Sequence, residues 1–384
     1  MNPLATALPA SGIREVMDLA FGRPDVIRLE IGDPDFATPP HVVEAGLRAA
    51  SDGATHYVPN TGLPFLREAL AAKVFQRNGF AADPGQVFVS QGATQGIYAA
   101  LAALAAPGDE VLLPDPAWPN YVMMAQLQGL SAVHYPLTAA TEFQPDLEVL
   151  EGLVTPRTKV LVVNSPSNPI GTVADRERIE ALAEFARRHD LWLISDECYD
   201  EIVFDAPCTS PAVFAPERTI AVYSFSKTYA MTGWRIGYLV VPRTVAATIT
   251  KVQETIVACV NAPTQHAAFA ALDGTQDCVA HMLACYRERR DLVAQLAKSA
   301  GLVMPTPAGA FYGWVDIRDA SPGAARDFAL GLLASERVAI APGTAFGALG
   351  EGYVRLSLAA SPEHLTEGVQ RVAAYLEARA ERHP

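Results

Sequence analysis

Between residues 87 and 241 the chain alternates short, almost wholly apolar runs with Ala- and Leu-rich stretches of helical period, and this alternation restricts the fold more than any other feature. The spacing predicts strands at Val87–Ser90, Glu110–Pro114, Ala132–Leu137, Val160–Asn164, Trp192–Asp196, Ile220–Ser224 and Ile236–Val241. Helices such as Thr94–Ala105 and Arg176–Arg188 fall between them. Strands apolar on both faces need cover on both faces, so the expected fold is α/β: a seven-stranded, mostly parallel sheet with helices on either side. In such sheets ligands sit at the C-terminal strand ends, where loops converge. Functional residues are therefore expected just after strands.

After about residue 275 the pattern changes. A long helix over Ala280–Ser299, short strands at Phe311–Asp316 and Tyr353–Leu358 and a closing helix over Pro362–Arg379 predict a smaller α+β domain. Residues 1–39 hold too few apolar side chains for a core of their own and are expected to join it. The division is 40–278 for the large domain, with 1–39 and 279–384 for the small one. A net charge of −13 speaks against nucleic acid or an anionic membrane as main partner. No apolar run approaches the ~20 residues needed to cross a bilayer, and the N-terminus lacks the basic start and apolar core of a secretory signal. The five cysteines, Cys198, Cys208, Cys259, Cys278 and Cys285, form no CxxC pair. A reduced, cytoplasmic setting is expected.

Five segments carry residues suited to chemistry. Lys227, in Ser224-Phe-Ser226-Lys227-Thr-Tyr, follows an apolar strand. A lysine held out of water has a lowered pKa and becomes a nucleophile fit to form an imine. Ser224, Ser226 and Arg235 beside it suit a phosphate, although a surface lysine with a packing arginine is the plainer reading. Asp196 ends another strand, three residues before Tyr199. A carboxylate there suits a protonated ring nitrogen, or simply caps a loop. Asn168, in Asn164-Ser-Pro-Ser-Asn168-Pro169-Ile-Gly171, lies on a rigid turn with an amide to donate. Gly92-Ala93-Thr94 joins a strand to a helix and offers N–H groups to an anion; it is neither GxGxxG nor a Walker A loop. Arg355, in Tyr353-Val-Arg355-Leu-Ser357, sits among apolar residues and suits a substrate carboxylate or an internal salt bridge.

Together these segments resemble the class I/II aminotransferases of fold type I, in order and spacing, from about Gly32 to Arg355. The run SFSKTYAMTGWRIGY is close to that family's lysine signature. The resemblance implies an enzyme dependent on pyridoxal 5′-phosphate that moves an amino group between an amino acid and a 2-oxo acid by a ping-pong mechanism. It makes Lys227 the imine lysine and proton shuttle, Asp196 the partner of the pyridine nitrogen, and Tyr199 and Asn168 donors to the phenolic oxygen. Gly92, Ala93, Thr94, Ser224, Ser226 and Arg235 would hold the phosphate. Trp118, in Pro116-Ala-Trp118-Pro-Asn-Tyr121, would stack on the ring; with Asn168 it would also border the substrate. Arg355 would clamp the substrate α-carboxylate, with the Gly32 backbone beside it. Tyr57 would reach the phosphate of a second subunit, which implies a homodimer with shared sites.

The substrate is less constrained. In the bacterial aspartate aminotransferase subgroup the loop position of Thr94 can carry a lysine that reads the distal carboxylate. Its absence weakens an aspartate assignment and leaves neutral or aromatic donors, with Arg14 as the remaining cation and a segment around Ile13 as a cover. A β-lyase acting on cysteine S-conjugates would use the same cofactor residues. A PLP-sensing domain of a transcription regulator would need a DNA-binding domain before Gly32, for which the sequence leaves no room. A metal hydrolase fits poorly, since the eight histidines include no HExxH.

Overall fold

The apolar runs form the strands they predict: most are buried along nearly their whole length, where only a central sheet satisfies the backbone, while Ser131–Pro136 at one sheet edge is largely half-buried or exposed. The computed structural model describes residues 1–319, 321 and 323–381. In chain order the strands are β1 (Ile27–Arg28), β2 (Val87–Ser90), β3 (Glu110–Asp115), β4 (Ser131–Pro136), β5 (Thr158–Asn164) and β6 (Trp192–Asp196). They continue with β7 (Thr219–Ser224), β8 (Gly237–Val240), β9 (Tyr312–Asp316), β10 (Val338–Ala339), β11 (Ala341–Pro342) and β12 (Tyr353–Ser357). Seven of them make one sheet in the order β2-β8-β7-β6-β5-β3-β4. All neighbours run parallel except around β8, which is antiparallel to both β2 and β7. Two reversals cancel, so β2 points the same way as β7 and their C-terminal ends share one edge.

Register then decides which residues meet at that edge. Asn164 pairs with Asp196 and Asp196 with Val222, so the ends of β5, β6 and β7 lie side by side. Helices cover both faces. Arg176–Arg188 is one: Asp175 caps it by accepting from the Arg178 N–H at 2.6 Å, and Arg187 and Arg188 lie at its C-terminal turn, where the helix dipole favours cations. Its buried face is Ile179, Leu182, Ala183, Phe185 and Ala186, packed on the sheet.

A second, antiparallel sheet of order β11-β12-β9 sets Arg355 opposite Trp314 and Ala341. Strand β1 pairs with β10, and the Gly12–Ala20 helix packs Val16 and Ala20 against Leu333 and Ala339. The elements expected from sequence are shifted by at most three residues at their ends, while the two-residue strands β1, β10 and β11 were not expected. One shift matters. The helix expected from Thr94 begins at Gly92, because Gly92 adopts φ +73°, which lets the chain turn directly off β2.

Candidate active site

A cavity of about 530 Å³ opens at the C-terminal edge of the large sheet. Its floor is built by the strand ends just described. Lys227 lies in the short helix Phe225–Thr228 that follows β7, and its Nζ donates to the Gly32 carbonyl at 2.5 Å. Burial lowers its pKa to about 8; Asp33 and Cys198 oppose the shift, and Arg355 and Arg235 add to it. That lysine is a usable nucleophile near neutral pH. Gly32 is required for a steric reason: a Cβ there would lie 1.9 Å from the Tyr312 hydroxyl oxygen.

Asp196 ends β6 and is 5 % exposed. Its Oδ2 accepts from the Tyr121 hydroxyl at 2.5 Å and its Oδ1 from the Cys198 N–H at 3.1 Å. Burial raises its pKa, and these donors work against the rise. Among the described residues no cation pairs with this carboxylate, so a ligand cation is what the position lacks. Next to it Asn164 donates to the Asp196 carbonyl at 3.1 Å and accepts from the Asn168 N–H at 2.8 Å. The Asn168–Pro169 bond is cis.

Arg355, 2 % exposed on β12, donates through Nη1 to Asn168 Oδ1 at 2.8 Å and through Nη2 to the Glu30 carbonyl at 2.7 Å. Its guanidinium lies 4.2 Å from the Tyr312 ring centre and 4.7 Å from that of Phe346. The internal salt bridge that sequence left open is not formed among the described residues, and Nε is buried without a partner. A guanidinium in this state suits a planar carboxylate. Because Asn168 spends its oxygen on Arg355, its NH2 stays available. Tyr199 and Tyr312 share a hydroxyl contact of 2.7 Å.

The phosphate-suited groups gather at the other side. The Gly92–Leu104 helix starts without a side-chain cap, leaving its first N–H groups free. A Cβ on Gly92 would come within 2.6 Å of Arg235 Nη2, so the glycine keeps the guanidinium close to the helix start. Ala93, Thr94, Ser224, Ser226 and Arg235 all line the cavity. Arg235 donates to the Thr232 carbonyl at 2.7 Å, and Ser224 Oγ accepts from the Ser226 N–H at 3.1 Å. Trp118 forms a wall, edge-on to Tyr121 with ring centres 5.3 Å apart. Uncapped helix, guanidinium and hydroxyls for a phosphate, a lone carboxylate for a ring nitrogen, and a lysine of lowered pKa between them fit pyridoxal phosphate as a donor set.

Of the residues singled out from sequence, all but Tyr57 line or border this cavity. Tyr57 is 92 % exposed and stands away from it on its own chain. Two residues escaped sequence reasoning. Tyr121 lies three positions beyond Trp118, in the helix Asn120–Leu127 that starts just after it. Tyr312 had only strand alternation to mark it.

The family model for aminotransferase class I and II matches residues 24–372, and the chain belongs to that family. It is 40 % identical over 370 residues to the aspartate aminotransferase of Pyrococcus abyssi, covering 94 % of each chain. It is 38 % identical over 370 residues to aromatic-amino-acid aminotransferase 2 of Thermococcus litoralis, again with 94 % of each covered. The structure of Thermus thermophilus aspartate aminotransferase with maleate superposes with a TM-score of 0.93 at 37 % identity, over 98 % of this chain and 99 % of that one. The protein is a pyridoxal-phosphate-dependent aminotransferase.

Proposed function

We propose that this aminotransferase takes amino groups from aromatic and other large apolar L-amino acids and passes them to a dicarboxylic 2-oxo acid, with Arg355 holding the α-carboxylate of both. The observation that carries the donor assignment is the cavity wall made by Ile13, Met17, Ile31 and Trp118, with Thr94 rather than a cation at the loop. Arg14 lines the same cavity, is exposed, and has no carboxylate within salt-bridge distance among the described residues. It is the cation we assign to the acceptor's distal carboxylate. The names of relatives, aspartate for one and aromatic amino acids for another, support a site that accepts both shapes.

Pyridoxal phosphate, when bound, supplies a ring that withdraws electrons from the substrate Cα. Lys227 would hold the cofactor covalently; once freed by the substrate amine, its Nζ would take the proton from Cα and deliver it to the carbon that had carried the cofactor's aldehyde. Asp196 would pair with the ring nitrogen, and Tyr121 would keep that carboxylate ionised. Tyr199 and Asn168 would donate to the phenolic oxygen. Gly92, Ala93, Thr94, Ser224, Ser226 and Arg235 would grip the phosphate, Trp118 would cover the ring face, and the Gly32 backbone would flank the substrate carboxylate. The exposure of Tyr57 supports its service to a second copy, in a homodimer. We divide the chain at 40–278 and 1–39 with 279–384. The five free cysteines support a reducing, cytoplasmic setting.

Half reactions with phenylalanine, tyrosine, leucine and aspartate, followed by 2-oxoglutarate or pyruvate, test the assignment. Arg14→Gln should weaken 2-oxoglutarate and aspartate and spare phenylalanine. A half reaction faster with aspartate than with any aromatic donor overturns the donor assignment. Pyruvate and ammonia released from cystathionine without an acceptor would put β-lyase chemistry first.

A further inference from the structure

At the end of β3 a buried carboxylate ties the wall of the cavity to the segment that backs Arg355. Asp115 is 5 % exposed. Its two oxygens accept from the Leu349 N–H at 3.1 Å and the Ala348 N–H at 3.2 Å, across more than 230 residues of chain. Two residues on, the Ala117 N–H donates to the Phe346 carbonyl at 2.7 Å. Gly347 stands between these contacts at φ +131°, where a Cβ would fall 2.1 Å from Asp115 Oδ1. The 346–349 segment is thus held by three hydrogen bonds to one short stretch, and glycine is what lets the carboxylate approach.

Phe346 carries the consequence. Its ring lies 4.7 Å from the Arg355 guanidinium, which also stands 4.2 Å from the Tyr312 ring, and meets Trp314 edge-on at 5.9 Å. The same stretch that fixes Phe346 continues into Trp118 and then Tyr121, which bonds Asp196. We propose that Asp115 is a positioning residue for the substrate clamp: by holding the Phe346–Leu349 segment to the end of β3, it sets where the Arg355 guanidinium stands relative to the cofactor side of the cavity. The proposal rests on Arg355 being that clamp. Asp115 touches no substrate itself.

The α-carboxylate is common to donor and acceptor, so a displaced clamp weakens both alike, whichever amino acid is the donor. Asp115→Ala holoenzyme should show KM raised about tenfold for both substrates, with kcat changed far less, and maleate affinity lowered by a similar factor in calorimetric titration. Asp115→Asn keeps one acceptor oxygen and should fall between. The visible band of the lysine-linked cofactor, and the pH at which it changes, should stay as in the parent, because Asp196 and Lys227 are untouched. Gly347→Ala should reproduce the effect, both by driving the carboxylate off and by straining the backbone at φ +131°. This variant and Asp115→Asn carry the test if Asp115→Ala does not fold.

Unchanged KM and maleate affinity in folded variants overturn the proposal. So does a shifted cofactor band, which would place the effect of Asp115 on the cofactor. Arg355→Lys is the control. If it too leaves maleate affinity unchanged, the clamp reading itself has failed; if it alone weakens maleate, only the role of Asp115 has.

Discussion

Tyr121 donates a hydrogen bond from its hydroxyl to Asp196 Oδ2 across 2.5 Å, although the two residues stand 75 positions apart. Both are almost fully buried, at 1 % and 5 % exposure. Burial raises the pKa of Asp196 and the phenol opposes that rise. The tyrosine is therefore part of what makes the carboxylate available as an anion.

Tyr121→Phe should loosen the cofactor. A hydrogen bond to a charged group contributes about 1.5–3 kcal/mol, and its loss lets the pKa of Asp196 climb further. Pyridoxal phosphate affinity should drop at least about tenfold, read from the fraction of visible band left after dialysis. Parent-like retention would show that the Cys198 N–H suffices.

Attachment of the cofactor to Lys227 should depend on pH in a set direction. Its pKa is lowered to about 8, and only the neutral amine is a nucleophile. When apoprotein is mixed with pyridoxal phosphate, the band should grow about tenfold more slowly per pH unit below that value and level off above it. Lys227→Ala should show no borohydride-stable cofactor on the peptide. If that variant transaminated at the parent rate, the assignment of Lys227 would fall.

Arg355→Lys removes the planar fork and leaves Asn168 Oδ1 or the Glu30 carbonyl without its donor. Lysine cannot replace a bidentate contact. KM should rise about 100-fold, from roughly 2–3 kcal/mol of lost binding, with a smaller fall in kcat. Steady-state kinetics with either substrate varied would expose an equal fall in kcat instead.

Gly32→Ala should cost about 1–3 kcal/mol of stability, because its methyl collides with the Tyr312 hydroxyl. Tyr312→Phe removes the atom nearest the new Cβ, so the double variant should recover part of the loss. Denaturant midpoints of the single and double variants measure the coupling; simple additivity would mean the collision is relieved elsewhere.

Strand positions were legible from sequence because a strand covered on both faces is apolar on both faces, so Val87–Ser90 or Trp192–Asp196 stands out as a mostly apolar run. The cavity floor followed, since Lys227, Asp196 and Asn168 all come shortly after such runs. What sequence did not yield depends on distant chain. Tyr312 reaches Tyr199 over 113 residues, and Glu30 meets Arg355 over 325. The bounds of the Gly92–Leu104 helix hinged on one backbone angle that composition does not encode. Ile13 and Arg14, named from sequence as a cover and a remaining cation, come from the far N-terminus, and only the fold brings them to the cavity.

The sheet order has a consequence for how such a chain tolerates change. Across the strands from β2 through β7, β6 and β5 to β3, the functional groups follow one another: Gly92 and Ala93, Lys227, Asp196, Asn168, Trp118. The spacing between them is a count of strands, fixed by main-chain hydrogen bonds rather than by the connecting helices. Lengthening a crossover should leave the row intact. A slip of one residue in β6 would turn Asp196 to the opposite face of the sheet. Descendants of this chain are therefore free to vary the length of their connections, while the phase of each strand is held.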